Sequence, residues 1–243
     1  MDVILETGGK GRAVKAGTAK GRKAKGGRTR QTILEVAVDI ASAEGLEGLT
    51  IGRLATQLSM SKSGLFAHFG SKEDLQLATI EEARSVFIED VIRPALQAER
   101  GLPRLWKLCD TWLSHVQGEG VSDGCSGGCF FAAAASEFDS RPGAVRDRIA
   151  EIMKEWLSIL RRAVVESQEA GQMNEDVDPT QLAFEFNAFE LGANWALQLY
   201  GDKQAFARAR EAVLERLRRH STRGGAALLP PIKAKPRRAR AKK

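Results

Sequence analysis

The sequence predicts an all-α protein in which a small N-terminal helix-turn-helix unit precedes a larger helical body. Three observations support this fold class. Apolar residues recur at helical spacing along most of the chain, glycine and proline separate these segments, and no convincing run of alternating β-branched residues is present. Of the 243 residues, 43% are hydrophobic, which is ordinary for a chain that buries a sizeable core.

Residues 50–72 have the pattern of two short helices joined by a tight turn. The first helix carries an apolar stripe at i, i+3, i+4 and i+7 spacing, formed by Ile51, Leu54, Ala55 and Leu58. Thr50 is placed to cap this helix, and Ser59-Met60-Ser61 forms the turn with Met60 buried. The arrangement is that of a helix-turn-helix.

The second helix of this unit is predicted from Lys62 to about Phe69, with Ser61 as its cap and with Leu65 and Phe69 packed inward. Its outward face carries short or basic side chains that suit a DNA groove and its phosphates. Lys62 is the best candidate for a base contact, whereas His68 and Lys72 are expected to bind phosphates. The predicted DNA-binding residues are Thr50, Lys62, Ser63, Gly64, His68 and Lys72.

A longer segment around this unit has a specific pattern. A first helix is predicted over Arg30 to Ala43, and the motif LFAHFGSKEDL follows at 65–75, where Ser71-x-x-Asp74 is close to a capping box. The segment from Arg30 to about Leu77 resembles the DNA-binding domain of the TetR/AcrR transcriptional regulators. The resemblance implies a recognition helix followed by the lysine-bearing start of a fourth helix.

Two positions depart from the pattern of that family. Glycine is usual where Ser59 stands, and a non-glycine residue in a left-handed turn costs on the order of 1 kcal/mol, which a folded domain tolerates. Tyrosine is usual where Phe66 stands, and the missing hydroxyl removes an expected phosphate hydrogen bond. We therefore assign Phe66 to packing.

Charge divides the chain into an acidic body and two basic tails. Residues 29–220 carry 21 basic and 29 acidic side chains, a net charge of −8, whereas both tails are rich in Lys and Arg. Clustered basic groups beside a DNA-reading unit favour phosphate-binding arms over mere solubilising segments. The predicted organisation is a disordered basic arm (1–28), a DNA-binding domain (29–75), a helical effector-binding and dimerisation domain (76–220) and a disordered basic tail (221–243).

The stretch from Leu182 to Tyr200 is apolar on several faces, so the helix predicted there must be buried on most sides. With the amphipathic helix from Gln204 to Arg219 it is the candidate dimer interface, in which two helices per subunit form a four-helix bundle. The resemblance implies the same arrangement. The polar residues of the helix predicted over 182–200 could bind a ligand, but we favour hydrogen bonds across the dimer or exposure to solvent. These positions are Glu185, Asn187, Glu190 and Asn194.

Residues 128–143 look like part of one subgroup of TetR-type effector domains. The resemblance implies that a small-molecule effector of unknown identity enters a pocket between the helices and shifts the two reading heads. Aromatic residues at helical spacing are more often plain core than pocket lining. The pocket candidates are Trp106, Trp112, Phe130, Phe131, Trp156 and Phe189.

Three cysteines, Cys109, Cys125 and Cys129, fit a reducing compartment and give no disulfide framework. His115 with Cys125 and Cys129 lacks the paired spacing of zinc sites, so we expect no metal or cofactor but core cysteines and a surface histidine. A redox switch between Cys125 and Cys129 stays open as a less favoured alternative.

No apolar run approaches the roughly 18 residues needed to span a bilayer, which predicts a cytoplasmic, nucleoid-associated protein without a membrane partner. The expected function is that of a homodimeric, ligand-released repressor on an inverted-repeat operator in double-stranded DNA. The rival is a nonspecific nucleoid-type protein that binds DNA through its basic tails. An enzyme is not expected, since no spacing supplies a nucleophile with its base or paired carboxylates.

Overall fold

Short polar residues and glycines define the ends of the first helices. The structure, a computed structural model, describes residues 17–118 and 127–231. Helix α1 (Gly17–Glu44) ends where Gly45 adopts a φ of 89°, and α2 (Ile51–Gln57) and α3 (Lys62–Phe66) complete the helix-turn-helix. Their inward apolar side chains form one buried cluster, which includes Leu65 and Phe69 as predicted.

The larger helical body follows. Its elements are α4 (Lys72–Phe87), a π-helical turn (Ile88–Ile92), α5 (Arg93–Leu96), α6 (Leu102–Gln117), α7 (Phe130–Phe138), α8 (Ala144–Glu169), α9 (Pro179–Tyr200), α10 (Ala205–His220) and α11 (Arg223–Ala226). Helix α9 packs against α8 and α10, α6 packs against the same two helices, and α4 joins α1 to α8. In the part of the chain described, β-type pairing is limited to the bridge between Met173 and Ser221. The predicted all-α fold is confirmed.

The N-terminal caps are present where the sequence suggests them. In each cap a serine or threonine hydroxyl oxygen accepts the backbone N–H three residues on: Thr50 from Arg53 at 3.1 Å, Ser61 from Gly64 at 3.1 Å, and Ser71 from Asp74 at 3.0 Å. Each satisfies a donor that the first helical turn would otherwise leave free.

The turn between α2 and α3 has the left-handed geometry that the sequence predicts, with Ser59 at a φ of 52°. Met60 is half-buried rather than buried, because it packs at the edge of the core. Helix α3 ends at Phe66, earlier than predicted, and the chain turns through Ala67 and His68 before Phe69 re-enters the core.

Both terminal predictions need correction. Helix α1 begins at Gly17, so the disordered arm predicted over 1–28 is wrong for residues 17–28, although four of these twelve residues are glycine. The tail predicted to be disordered from 221 is ordered to 231, because Thr222 caps α11 and Leu229 is buried. Residues 1–16 and 232–243 lie outside the described part of the chain.

A proline explains the π-helical turn between α4 and α5. Pro94 has no N–H, and its ring would clash with the carbonyl of residue 90 in a regular α-helix. The backbone widens over Ile88–Ile92 before the proline, and the chain then continues as α5. The sequence predicts a kink or an end at this proline, and the structure shows the widened turn. None of the described helices is both long and apolar enough to cross a bilayer.

One contact joins the helical body to the start of the helix-turn-helix. Glu137, near the end of α7, accepts the backbone N–H of Leu46 at Oε1 (3.1 Å) and that of Glu47 at Oε2 (2.8 Å). A Cβ on Gly45 would lie 2.7 Å from Glu137 Oε1, closer than any real contact allows. Position 45 therefore favours glycine for two reasons: its φ is positive, and the carboxylate of Glu137 lies where a Cβ would be.

We predict that Gly45→Ala lowers the free energy of unfolding by more than Gly171→Ala. Gly171 also has a positive φ of 65° but has nothing within 4 Å of its Cβ position, so its substitution isolates the backbone cost of roughly 1 kcal/mol. Gly45→Ala adds the clash with Glu137. Urea denaturation of both variants is the measurement, and equal losses would contradict the close approach.

Candidate DNA-binding surface and effector cavity

The outward side of α3 forms a small basic and polar surface next to the start of α2. Lys62 is exposed and forms no ion pair with a described residue. A Cβ on Gly52 would lie 3.8 Å from Lys62 Nζ and 3.9 Å from Thr50 Oγ1, so these two predicted residues share one patch. The ammonium group is thus free to bind DNA.

The neighbouring predicted DNA-binding residues already take part in contacts within the protein. Ser63 Oγ lies 3.2 Å from Ser61 Oγ, and the N–H of Gly64 donates to Ser61 Oγ. His68 is half-buried, with its ring 6.3 Å from that of Phe69. Ser63 therefore retains an exposed hydroxyl group for DNA. Gly64 allows DNA to approach the backbone closely but does not offer its N–H as a donor. His68 exposes part of its ring to DNA.

Lys72 binds within the fold. Its Nζ donates to the carbonyl oxygen of Glu47 at 2.7 Å and to Glu47 Oε1 at 3.1 Å. The same ammonium group is the main cause that holds the pKa of the Glu47 carboxyl below its usual range. Gln76, one turn further along α4, donates to the carbonyl of Leu46 at 3.0 Å. Helix α4 and Glu137 of α7 thus hold the same loop, residues 45–47.

Phe66 does not pack in the core, and the assignment made from the sequence is wrong. Its side chain is 53% exposed. Leu65 and Phe69 already fill the inner side of the short α3, and the next position along a helix points about 100° away. Phe66 lies four residues after Lys62, on the same side of the helix. It extends the candidate DNA-binding surface with an apolar group.

A cavity of about 220 Å³ lies between the helices of the body. Its lining comes from α4, the π-helical turn, α6, α7 with its N-cap, α8 and α9. The lining residues are Arg84, Phe87, Ile88, Ile92, Trp112, Cys129, Phe131, Ile152, Met153, Glu155, Trp156, Ile159, Asn187 and Leu191. A mostly apolar concavity with few polar groups is typical of a small-molecule site.

Aromatic rings meet edge to face in the wall of this cavity. The ring of Phe87 lies 5.3 Å from that of Trp156 and 6.2 Å from that of Phe131, at interplanar angles of 89° and 86°. Three of the six predicted pocket residues therefore line the cavity, namely Trp112, Phe131 and Trp156. The other three, Trp106, Phe130 and Phe189, pack in or against the core elsewhere.

Phe87 is the central residue that the sequence analysis missed. It stands at the end of α4, directly before the π-helical turn. The sequence feature that could have identified Phe87 is an aromatic residue followed by isoleucines just ahead of a proline. Such a proline favours a π-helical turn, and these turns are frequent at functional sites.

Two polar residues of α9 are buried within the subunit, so the favoured prediction of dimer cross-links or solvent exposure is wrong for them. The indole Nε1–H of Trp156 donates to Glu190 Oε2 at 3.2 Å, and the N–H of Cys129 donates to Asn194 Oδ1 at 3.0 Å. Both side chains therefore hold parts of the cavity wall in place. Glu185 instead forms an ion pair with Arg216.

The Glu190 carboxyl is fully buried, and its Oε1 atom has no hydrogen-bond partner. Burial raises its pKa well above the usual range, although hydrogen bonds from Trp156 and Cys109 oppose this effect. Burial also raises the pKa of the Cys109 thiol. The buried carboxyl thus resists ionisation, because an ionised carboxylate at this position would lack a counter-charge.

The remaining predictions concern His115 and the cysteines. His115 is buried, not on the surface, with Nδ1 3.2 Å from Asp90 Oδ2, and burial lowers its pKa against the opposing effect of Asp90. Cys109 and Cys129 are buried in the core, as predicted. Cys125, and hence the possible redox pair, lies outside the described residues. Across 17–118 and 127–231 no three potential metal ligands cluster.

Comparisons with known proteins agree with this architecture. Residues 33–79 match the model of the bacterial regulatory proteins of the tetR family, and residues 101–213 match that of the tetracyclin repressor-like C-terminal domain. The two matches cover the helix-turn-helix and most of the helical body. The chain belongs to the TetR family of transcriptional regulators.

Individual relatives support this assignment. The HTH-type transcriptional regulator TcmR of Streptomyces glaucescens is 26% identical over 200 residues, which cover 79% of this chain and 83% of TcmR. A TetR regulator from Chloroflexus aurantiacus has a similar fold, with a TM-score of 0.74 and 22% identity over 82% of this chain and 98% of that one. AibR, solved with isovaleryl coenzyme A and operator DNA, has a TM-score of 0.59 at 22% identity over 79% and 97%.

This TetR-family protein is therefore a DNA-binding transcriptional regulator and not an enzyme. Its helix-turn-helix is the DNA-binding unit of the family, and its helical body corresponds to the family's C-terminal domain.

We predict that Glu190→Gln stabilises this regulator increasingly as the pH rises. The folded state keeps Glu190 protonated to a higher pH than the unfolded chain, which ionises it above its ordinary value of 4.5. The stability that the raised pKa contributes is complete below 4.5 and is lost as the pH rises towards the folded pKa. Glutamine carries a neutral amide and escapes this loss, so the melting temperature of the variant should rise relative to wild type as the pH increases above 4.5.

Glu185→Gln is the matched control on the same helix. Arg216 lowers the pKa of Glu185, so that carboxylate contributes stability above 4.5 and loses it as the pH falls. This variant should melt below wild type at pH 8, and the difference should shrink only as the pH falls below 4.5. Thermal denaturation between pH 3 and pH 8 measures both differences, and the same trend for both variants would argue against a raised pKa at Glu190.

Proposed function

We propose that the protein is a homodimeric repressor that reads an inverted-repeat operator and is released by a small molecule. The observation that supports it best is the presence of a reading surface on α3 with an exposed, unpaired Lys62 together with an aromatic cavity in the helical body. AibR, a structural neighbour, is described with both a ligand and operator DNA. Operator binding would associate the protein with the nucleoid.

The reading surface supports sequence-specific contact by Lys62. Its free ammonium group can donate to base acceptors in the major groove, while Thr50 and Ser63 offer hydroxyls beside it. Exposed Phe66 can contact a thymine methyl group. Lys72 and His68 lie at the edge of this surface, where phosphates are expected.

An exposed apolar stripe on α9 supports the dimer. Phe184, Trp195 and Leu199 are 62%, 60% and 72% exposed, and they fall along one side of the helix. Ala188 and Gly192 lie between them, and small residues allow two helices to approach closely. Isolated stripes of this size mark association surfaces in soluble proteins. The outward side of α10 carries charged residues, so α9 supplies the apolar centre of the proposed interface and α10 its polar edge.

Two helices support a path from the cavity to the reading surface. Helix α7 contributes Phe131 to the cavity wall and Glu137 to loop 45–47. Helix α4 contributes Phe87 to the same wall and Lys72 to the same loop. A ligand that separates α7 from α4 would move the start of the helix-turn-helix, which would change the spacing of the two reading heads in the dimer.

The test of operator reading begins with selection of bound duplexes from a random DNA library by the full-length protein. We predict enrichment of an inverted repeat. Lys62→Ala should then weaken operator binding by roughly tenfold or more while changing the binding of random DNA little, because a lost base contact costs about 1–3 kcal/mol. Fluorescence anisotropy measures both affinities.

Lys72→Ala is the matched comparison. It should weaken operator and random DNA about equally, since a phosphate contact carries no sequence information, and it should also lower the melting temperature by releasing Glu47. Identical losses for the two variants on both DNAs would refute this division of roles. Failure to enrich any sequence would favour the rival, a nonspecific protein that binds through its basic tails.

We predict that Trp195→Glu or Leu199→Glu converts the dimer to monomers, because a charge on the apolar stripe is buried without a partner on association. Leu96→Glu is the control: Leu96 is 52% exposed on α5, away from the stripe, and its substitution should leave the dimer intact. Light scattering after size exclusion measures the mass. A dimer that survives both α9 substitutions would place the interface elsewhere.

A further inference from the structure

One amide side chain in the lining of the effector cavity, that of Asn187, has no hydrogen-bond partner among the described residues. Among its lining residues, three carry a charged group or an amide: Arg84, Glu155 and Asn187. Arg84 donates from Nε at 3.0 Å and from Nη2 at 2.8 Å to Glu155 Oε2, so these two are paired with each other. The amide of Asn187 forms no hydrogen bond with the residues that the structure describes.

The charges around the cavity are already balanced. Glu155 also lies 4.0 Å from Arg148 Nη1, so its carboxylate has two cationic neighbours. Glu190 accepts the indole N–H of Trp156, is buried and does not line the cavity. An ionised ligand would enter an apolar space in which no described residue offers a free counter-charge, and burial of an unpaired ion is strongly unfavourable. The lining thus favours an uncharged ligand.

The shape and rings of the cavity favour an aromatic ligand. A cavity of roughly 150 Å³ lined by apolar side chains holds benzene, and this one is about 220 Å³. Its walls present the rings of Phe87, Phe131 and Trp156, which already meet edge to face. An added aromatic ring can continue that edge-to-face arrangement.

We propose that the cavity selects an uncharged aromatic molecule of one or two rings, whose single hydroxyl or carbonyl group hydrogen-bonds to Asn187. The amide can donate to a carbonyl and accept from a hydroxyl, so either group satisfies it. The rest of the ligand contacts apolar and aromatic side chains. This inference deepens the proposed effector function and rests on it.

The experiment compares three two-ring probes by isothermal titration calorimetry with the full-length protein at pH 7. 2-Naphthol carries a neutral hydroxyl, naphthalene carries no polar group, and 2-naphthoate carries a carboxylate. We expect 2-naphthol to bind about tenfold more tightly than naphthalene, the equivalent of one satisfied hydrogen bond. The margin over 2-naphthoate should be larger, because burial of an unpaired carboxylate costs more than one hydrogen bond.

Variants test whether Asn187 is responsible. Asn187→Leu should abolish the preference for 2-naphthol over naphthalene, and Asn187→Ala should do the same without filling the cavity. Gln181→Leu removes an exposed amide on the same helix, outside this cavity, and should keep the wild-type preference. Light scattering of the Asn187 variants checks that they remain dimers, since an amide that bonded the partner subunit would weaken association instead.

Several results would overturn the proposal: tightest binding of 2-naphthoate, no binding of 2-naphthol, a preference for 2-naphthol that survives both Asn187 substitutions, or loss of the dimer in those variants. Operator release is measured separately by anisotropy. If 2-naphthol binds through Asn187 but leaves operator binding unchanged, the ligand class holds and the effector function fails. If the naphthoate binds best and releases the operator, the effector function holds and the ligand class fails.

Discussion

The carboxylate of Glu137 joins the helical body to the helix-turn-helix, because it accepts the N–H groups of Leu46 and Glu47 at the entrance to that unit. These donors face the end of α7 only because Gly45 has no Cβ to keep the carboxylate away. Lys72 of α4 holds the carbonyl of Glu47 from another direction. The reading surface on α3 is therefore positioned by loop 45–47, which belongs to neither α2 nor α3.

Helices α4 and α7, which hold loop 45–47, also form walls of the cavity. Phe131 and Glu137 lie on one short helix, and Phe87 and Lys72 lie on one longer helix. Rigid helices transmit small displacements along their length, whereas loops absorb them. The buried Glu190 and Asn194 anchor the cavity wall to α9, which also carries the proposed dimer surface. In the proposed function, ligand binding, dimerisation and DNA reading thus share one set of helices.

The sequence predicts features that depend on neighbouring residues and fails where distant segments meet. The caps at Thr50 and Ser61, the left-handed Ser59 and the inward Leu65 follow from local chemistry and spacing, and the structure confirms them. The cavity joins residues from six separate elements, so only three of the six aromatic candidates chosen from periodicity line it. A glutamate on a largely apolar helix suggests exposure, and only the packing against Trp156 shows that Glu190 is buried. Phe66 was misassigned because its α3 neighbours had already filled the core.

Hydrogen exchange at loop 45–47 tests most directly whether the cavity and the reading surface are coupled. We would measure exchange of the Leu46 and Glu47 amides by mass spectrometry, with and without a ligand that releases the operator. If α7 transmits ligand binding, the ligand weakens the hydrogen bonds to Glu137 and both amides exchange faster, while amides of α10 keep their rates. Operator release with unchanged exchange at Leu46 and Glu47 would contradict this coupling.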